Sequence, residues 1–137
     1  MLLPKKMKYR KWHRLRGNFS GNASSGTRLA FGTFGLKSTS TKEVTSRQIE
    51  SARRAMSHYI KRGGKIWIRI FPHMPITNKA AEVPMGSGKG SVERFTTIVK
   101  PGVIMFEMDG IEEVQAREAL RLAGTKLPVT TKFVKLD

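Results

Sequence analysis

Residues 1 to 42 hold ten Lys and Arg side chains and no Asp or Glu, and this one-sided block limits the fold before any periodicity is considered. Like charges at that density repel one another and cannot enter an apolar interior, so the segment is expected to be extended and mobile when free and to order on a polyanion. From Met1 to Arg28 its bases are Lys5, Lys6, Lys8, Arg10, Lys11, Arg14, Arg16 and Arg28, interleaved with Tyr9, Trp12, His13 and Phe19. Phosphates would satisfy the first set and stackable bases the second, and each neutralised phosphate releases condensed counterions. Residues 1 to 27 are therefore read as a basic arm and 28 to 137 as one domain, a length and apolar content suited to a modest core. Charge falls along that domain, from 11 bases and 4 acids in 43 to 100 to 5 and 6 in 101 to 137. The near-neutral C-terminal third is expected to be scaffold.

A net charge of +16 points to nucleic acid first and to an anionic membrane surface second. The arm contains no amphipathic lipid-binding helix, which makes membrane the weaker reading. The chain has no cysteine, so a disulfide framework and thiolate zinc sites are excluded, and His13, His58 and His73 are too scattered to replace them. No metal and no cofactor are expected. No apolar run reaches bilayer length and no secretory hydrophobic stretch opens the chain, so a soluble protein that stays inside the cell is expected. An organellar transit peptide is also basic and acid-poor, but Pro4, Gly17, Gly21 and Gly26 fit poorly with an import helix.

Two helices are marked. Thr45 and Gln48 make a capping box, Ile49, Ala52, Met56, Tyr59 and Ile60 recur at helical spacing, and Gly63-Gly64 stops the run, which predicts a helix over 46-62. Its other side carries Arg47, Arg54, Lys61 and Arg62, a stripe that is either a solvated face or a phosphate contact. A second helix is predicted over 112-125, with Glu112 and Glu113 in the first turn, Ala116, Ala119, Leu120 and Ala123 on one side, and Pro128 ending it. Residues 65-71 alternate, setting Ile66, Ile68 and Ile70 toward a core and Lys65, Trp67, Arg69 and Phe71 away from it. Residues 95-100, the turn Pro101-Gly102 and residues 103-108 read as a hairpin, and 28-36 and 129-136 as further strands. The fold class is α+β, an antiparallel or mixed sheet with both helices on one face.

Residues 72-93 carry little periodicity and include Met85-Gly86-Ser87-Gly88-Lys89-Gly90, and so long a loop is usually functional or disordered. A phosphate-binding P-loop needs a hydroxyl directly after the Lys and a Gly five residues before Gly88; Gly90 and Val83 occupy those places. The dinucleotide fingerprint fails at Ser91. Glycines still let backbone amides approach a phosphate, with Lys89 adding one charge. The loop is therefore either an RNA-reaching element or a flexible surface loop. No nucleophile with its base and no carboxylate pair assembles, the ten acids being mostly assignable to helix ends and exposed faces, so no enzyme is expected.

Met1-Leu-Leu-Pro4-Lys-Lys, Ser46-Arg-Gln-Ile-Glu-Ser-Ala-Arg-Arg-Ala55, Gly64-Lys-Ile-Trp-Ile-Arg-Ile-Phe-Pro72, Met85-Gly-Ser-Gly-Lys-Gly90 and Lys126-Leu-Pro128 occur in order. Together they resemble the bacterial-type large-subunit ribosomal protein sixteen family over essentially the whole chain. The resemblance implies an α+β domain on 23S-type rRNA, entering late in subunit assembly beside other large-subunit proteins and close to aminoacyl-site tRNA, with peptidyl-site tRNA as a further candidate partner. It implies no small-molecule substrate. The rRNA contacts expected are Lys5, Lys6, Lys8, Arg10, Lys11, Trp12, His13, Arg14 and Arg16 in the arm, Arg47, Arg54 and Arg62 on the helix, and Arg69 on the strand. Met85 to Gly90 is the tip that the resemblance places near the peptidyl-transferase centre. Two departures stand out: Pro84 where many members have an Arg, and Arg94-Phe95 where Tyr-Trp is common. A bacterial cytoplasmic ribosome is expected, with a mitochondrial or plastid ribosome as the alternative. A free-standing RNA-binding module or chaperone and a nucleotide-using enzyme are the competing functions.

Overall fold

The computed structural model describes residues 1–14, 20–61 and 63–137. Among these the order is β1 (Phe34–Ser38), β2 (Lys42–Thr45), α1 (Ser46–Tyr59), β3 (Lys65–Ile68), β4 (Met74–Asn78), β5 (Ser91–Val99), β6 (Ile104–Asp109), α2 (Glu113–Gly124) and β7 (Thr131–Lys135). The class is α+β. Its strands are divided between a four-stranded sheet ordered β3-β6-β1-β7 and a three-stranded sheet ordered β2-β5-β4, with every pairing antiparallel.

The division overturns the expected hairpin, because Pro101-Gly102 joins the two sheets and β5 and β6 do not pair. The backbone groups around the turn are already engaged: Gly102 N–H donates to Ser38 O at 2.8 Å, Ser38 N–H to Val103 O at 2.9 Å and Ile104 N–H to Gly26 O at 2.8 Å. With those bonds made elsewhere, the strands leave the turn in different directions.

α1 begins as its capping box predicts. Gln48 N–H donates to Thr45 Oγ1 at 3.2 Å, and Gln48 Oε1 accepts from the Thr45 N–H at 2.9 Å. Ile49, Ala52 and Met56 are buried on one side, and α2 presents Ala116, Ala119, Leu120 and Ala123 to the same core. α1 stops at Tyr59, three residues short of the predicted end. The two helices pack on each other and on the four-stranded sheet.

Register decides what each face of that sheet carries. Phe34 pairs with Met108 and Leu36 with Phe106, while Ile66 and Ile68 pair with the same two β6 residues, so all six point toward the helices. Gly35 and Trp67 both pair with Glu107 and face the other way. That reverse face is covered by residues 29-33, which were predicted to be strand. They are not, because the N–H groups of Ala30, Phe31 and Gly32 all donate to Glu107 Oε1, at 3.0, 3.0 and 2.9 Å, and are unavailable to a ladder. Gly35 permits the cover: a Cβ there would lie 2.4 Å from Leu29 Cδ2.

β4 was hidden in the predicted loop. Its Pro75 argues against a central strand, but β4 is an edge of its sheet, where a missing donor is tolerated. β5 likewise starts at Ser91, so the irregular connection shrinks to residues 79-90.

Candidate nucleic-acid interface

The arm does not hang free, as charge alone predicted; residues 1-14 lie against the domain. Its apolar members supply the adhesion that a count of like charges overlooks. Leu2 packs against the core, and Ser46 Oγ donates to Met1 Sδ at 3.7 Å. Trp12 meets the His73 ring edge-on with centroids 5.6 Å apart. Lys5, Lys6, Arg10 and Lys11 line an open cleft with Ser91, Val92 and Phe95 of β5. Lys8, Tyr9 and Trp12 line a second open cleft with Phe71 and His73, and Lys5 and Lys6 border both clefts. Lys8 also sits 5.5 Å from the centre of the Tyr9 ring.

The arm ends against the tip of the 79-90 loop. Lys11 Nζ donates to Lys89 O at 3.1 Å, and Lys89 Nζ donates back to Trp12 O. Each ammonium is held by the other segment's carbonyl, and both charges stay exposed. Among the described arm residues one cation reaches a carboxylate: Arg14 Nη2 is 3.4 Å from Glu43 Oε2, while Thr96 Oγ1 donates to Glu43 Oε1 at 2.7 Å. The other described arm cations have no carboxylate partner, which is the electrostatic condition for binding a polyanion.

Lys79 Nζ donates to Gly86 O across the base of the loop, and Val83 N–H donates to Ala80 O at 3.0 Å. Gly86 and Gly88 have φ of 129° and 95° with open space around both, and Ser87 between them has φ of 60°. Three consecutive residues with positive φ make this a tight, exposed tip of the kind glycine favours. Gly90 acts differently, by letting the two stems of the loop meet, since a Cβ there would lie 2.8 Å from Asn78 O. Met85 is fully exposed.

On α1, Arg47 and Arg54 are exposed as the stripe requires, whereas Arg62 and the arm's Arg16 lie outside the described residues. The spacing argument missed Glu50, which accepts from Arg53 Nη2 at 2.5 Å and from Arg54 Nε at 3.2 Å. The Arg53 hydrogen bond outweighs partial burial and brings the Glu50 carboxyl down to about 2. Arg53, Arg54, Ser57, His58 and Lys61 line one open cleft. Arg53 and His58 join this basic surface although neither was assigned to it. The adjacency of Arg53 to Arg54 was the available signal.

Arg69 was expected to meet RNA as a strand cation, and its guanidinium is instead committed inward. Nη1 donates to Glu107 Oε2 at 2.5 Å and to Arg28 O at 3.2 Å. Glu107 is fully buried and is an exception to the assignment of most acids to helix ends and exposed faces. Burial pushes its carboxyl up, but the N–H groups of Gly32 and Phe31, the Arg69 guanidinium and the Ala30 N–H together hold it below the ordinary carboxylate range. Nothing in the residue pattern of β6 distinguishes it from an outward-facing strand acid.

No His, Cys, Asp or Glu cluster able to hold a metal occurs among the described residues, and no helix is long and apolar enough to cross a membrane. Residues 4–134 match the family described as ribosomal protein L16p/L10e. The chain belongs to that family. The L16p/L10e relatives include the large ribosomal subunit protein uL16 of Staphylococcus aureus strains Newman, JH1 and Mu3, each 59% identical over 137 residues, covering 100% of this chain and 94% of the relative. The L16p/L10e match spans both the arm from Pro4 and the glycine-rich tip, so the two segments that face outward belong to the same family pattern as the core.

Proposed function

We propose that the chain is a structural component of the large ribosomal subunit in a bacterial cytoplasm, bound to 23S-type rRNA through the arm and α1. Its glycine-rich tip, Met85 to Gly90, faces aminoacyl-site tRNA near the peptidyl-transferase centre. The observation that carries this reading is the 59% identity over all 137 residues to large-subunit proteins. The geometry supports it independently: the arm and the tip share one edge through Lys11 and Lys89, and basic α1 residues surround a second open surface. Lys5, Lys6, Lys8, Arg10, Lys11, His13, Arg14, Arg47 and Arg54 serve as phosphate contacts, and Arg16 and Arg62 extend the two groups in sequence. Trp12 is a stacking residue. Arg69 leaves the set because Glu107 holds it. The protein acts as a ribosomal component and not as an enzyme, and no nucleotide is processed at the tip.

The decisive experiment separates attachment from the tip. Large subunits reconstituted with a Gly88→Val, Lys89→Ala variant are expected to incorporate the protein normally, since neither substitution touches the core, while aminoacyl-site tRNA binding weakens or peptide transfer slows. Wild-type tRNA affinity and transfer in fully assembled particles would reduce the tip to a spacer. Loss of the protein from subunits in a high-salt gradient would favour a free-standing RNA-binding module.

A further inference from the structure

Phe31 is 58% exposed, yet its backbone and its ring are both held. Its own N–H and those of both neighbours are fixed by one buried carboxylate oxygen. The ring stacks on Trp67 with centroids 6.1 Å apart and planes 21° from parallel, and the Arg69 guanidinium carbon lies 5.3 Å from its centre. Trp67 and Arg69 are two residues apart on one extended run and lie on the same side of it. Both contacts fix the ring, and more than half of the residue's surface still remains open to solvent. Arg28 is exposed beside it, its carbonyl held by Arg69 at 3.2 Å, and Lys65 is exposed on the strand that carries Trp67. The acids facing this surface are occupied: Glu107 is buried beneath it, and Asp109, opposite Lys65, accepts from Thr33 Oγ1 at 3.0 Å and from the Gly110 N–H at 2.8 Å.

A flat aromatic surface, held in place and rimmed by cations, matches a neutral planar group with a negatively charged group attached to it, as a nucleobase has its phosphate. We infer that the open face of Phe31 receives one unstacked nucleobase of the rRNA, with Arg28 beside it for the adjoining phosphate. The inference rests on the RNA partner proposed above and deepens it by assigning a base contact that carries no charge of its own. A hydrophobic side chain from a neighbouring ribosomal protein would use the ring but not the cationic rim. Arg69 backs the stack and does not pair with phosphate.

Stacking and phosphate contacts differ in their response to salt, and that difference is the test. Binding of the full chain is measured over a salt series on large-subunit particles lacking this protein. Phe31→Leu is expected to weaken binding roughly 5- to 150-fold at every salt concentration with the log-log slope unchanged, because a base stack releases no counterions. Phe31→Tyr should restore it. A joint Lys5→Gln and Lys6→Gln variant should instead flatten the slope. The thermal midpoint of Phe31→Leu should match wild type, since the ring is largely exposed. A photoreactive benzoylphenylalanine at position 31 should cross-link to an rRNA nucleotide in assembled particles. Unchanged affinity of Phe31→Leu, or a cross-link to protein, overturns the base-stacking assignment while leaving the phosphate contacts standing. Wild-type binding that ignores salt overturns instead the phosphate contacts proposed above, including that of Arg28.

Discussion

Glu107→Gln removes one charge from the interior and almost no volume, which makes its consequences traceable. The amide oxygen can still accept from the Ala30, Phe31 and Gly32 N–H groups, but the amide nitrogen now faces the Arg69 Nη1 donor at a position 2.5 Å away. Breaking a buried pair by removing one partner costs about 3 to 5 kcal/mol, and the three backbone bonds also lose their charge assistance. Against a total stability of about 5 to 15 kcal/mol for a domain of this kind, that is a large share. The expected fall in thermal midpoint is roughly 10 to 25 °C for a chain of this size. Hydrogen exchange should locate the damage, with the amides of Ala30, Phe31 and Gly32 losing protection before those of β1 and β6. Acid supplies a second check. The wild-type carboxyl is held below its ordinary value, so its contribution is complete above the unfolded value of about 4.3 and is lost as pH falls through the lower folded value. The stability gap between wild type and variant should therefore be constant from about pH 5 to 8 and close below about pH 4. A midpoint within about 3 °C of wild type, with the three amides still protected, would show that the carboxylate is not what holds residues 29-33 on the sheet.

Met56 is fully buried between the helices and the sheet, so Met56→Ala should cost about 2 to 5 kcal/mol in denaturant unfolding; a cost within about 0.5 kcal/mol, the range of an ordinary surface substitution, would mean the two faces of α1 are exchanged. Glu50→Gln should cost only about 0.5 to 1 kcal/mol, because the pairs it breaks lie at the helix surface. By releasing Arg53 and Arg54 it should steepen the salt dependence of RNA binding by about one unit, and an unchanged slope would remove this face from the RNA contacts. The wild-type Glu50 contribution is complete above about pH 4.3 and is lost as pH falls toward about 2.

Local signals translated well into local structure. The Thr45-Gln48 pair fixed the start of α1 because both of its hydrogen bonds lie within four residues, and the alternating isoleucines of β3 put the right side toward the helices because a strand has only two faces. What escaped depended on partners far along the chain. Pro75 looked disqualifying until β4 proved to be an edge. Glu107 looked like any strand acid, since its partners are 38 to 77 residues away. Arg69 looked like a surface base for the same reason. The basic arm and the glycine-rich tip were both legible as outward-facing segments, but their mutual contact was not, because two lysines that each donate to a carbonyl of the other segment leave no mark in charge or periodicity.

The place of β7 has a consequence for how such a chain is made. β1 is an interior strand only because Thr131–Lys135 pairs along it, and those residues are synthesised after every other strand of that sheet. Until they leave the translating ribosome, β1 presents an unpaired edge, and the arm, which precedes β1 in the chain, is already made. The seat of the arm on β5 and the 79-90 loop also comes late in the order of synthesis. A newborn copy therefore meets the polyanions around it with its charge fully displayed and its sheet still open, and closure of the last strand is the event that turns an adhesive chain into a defined particle component.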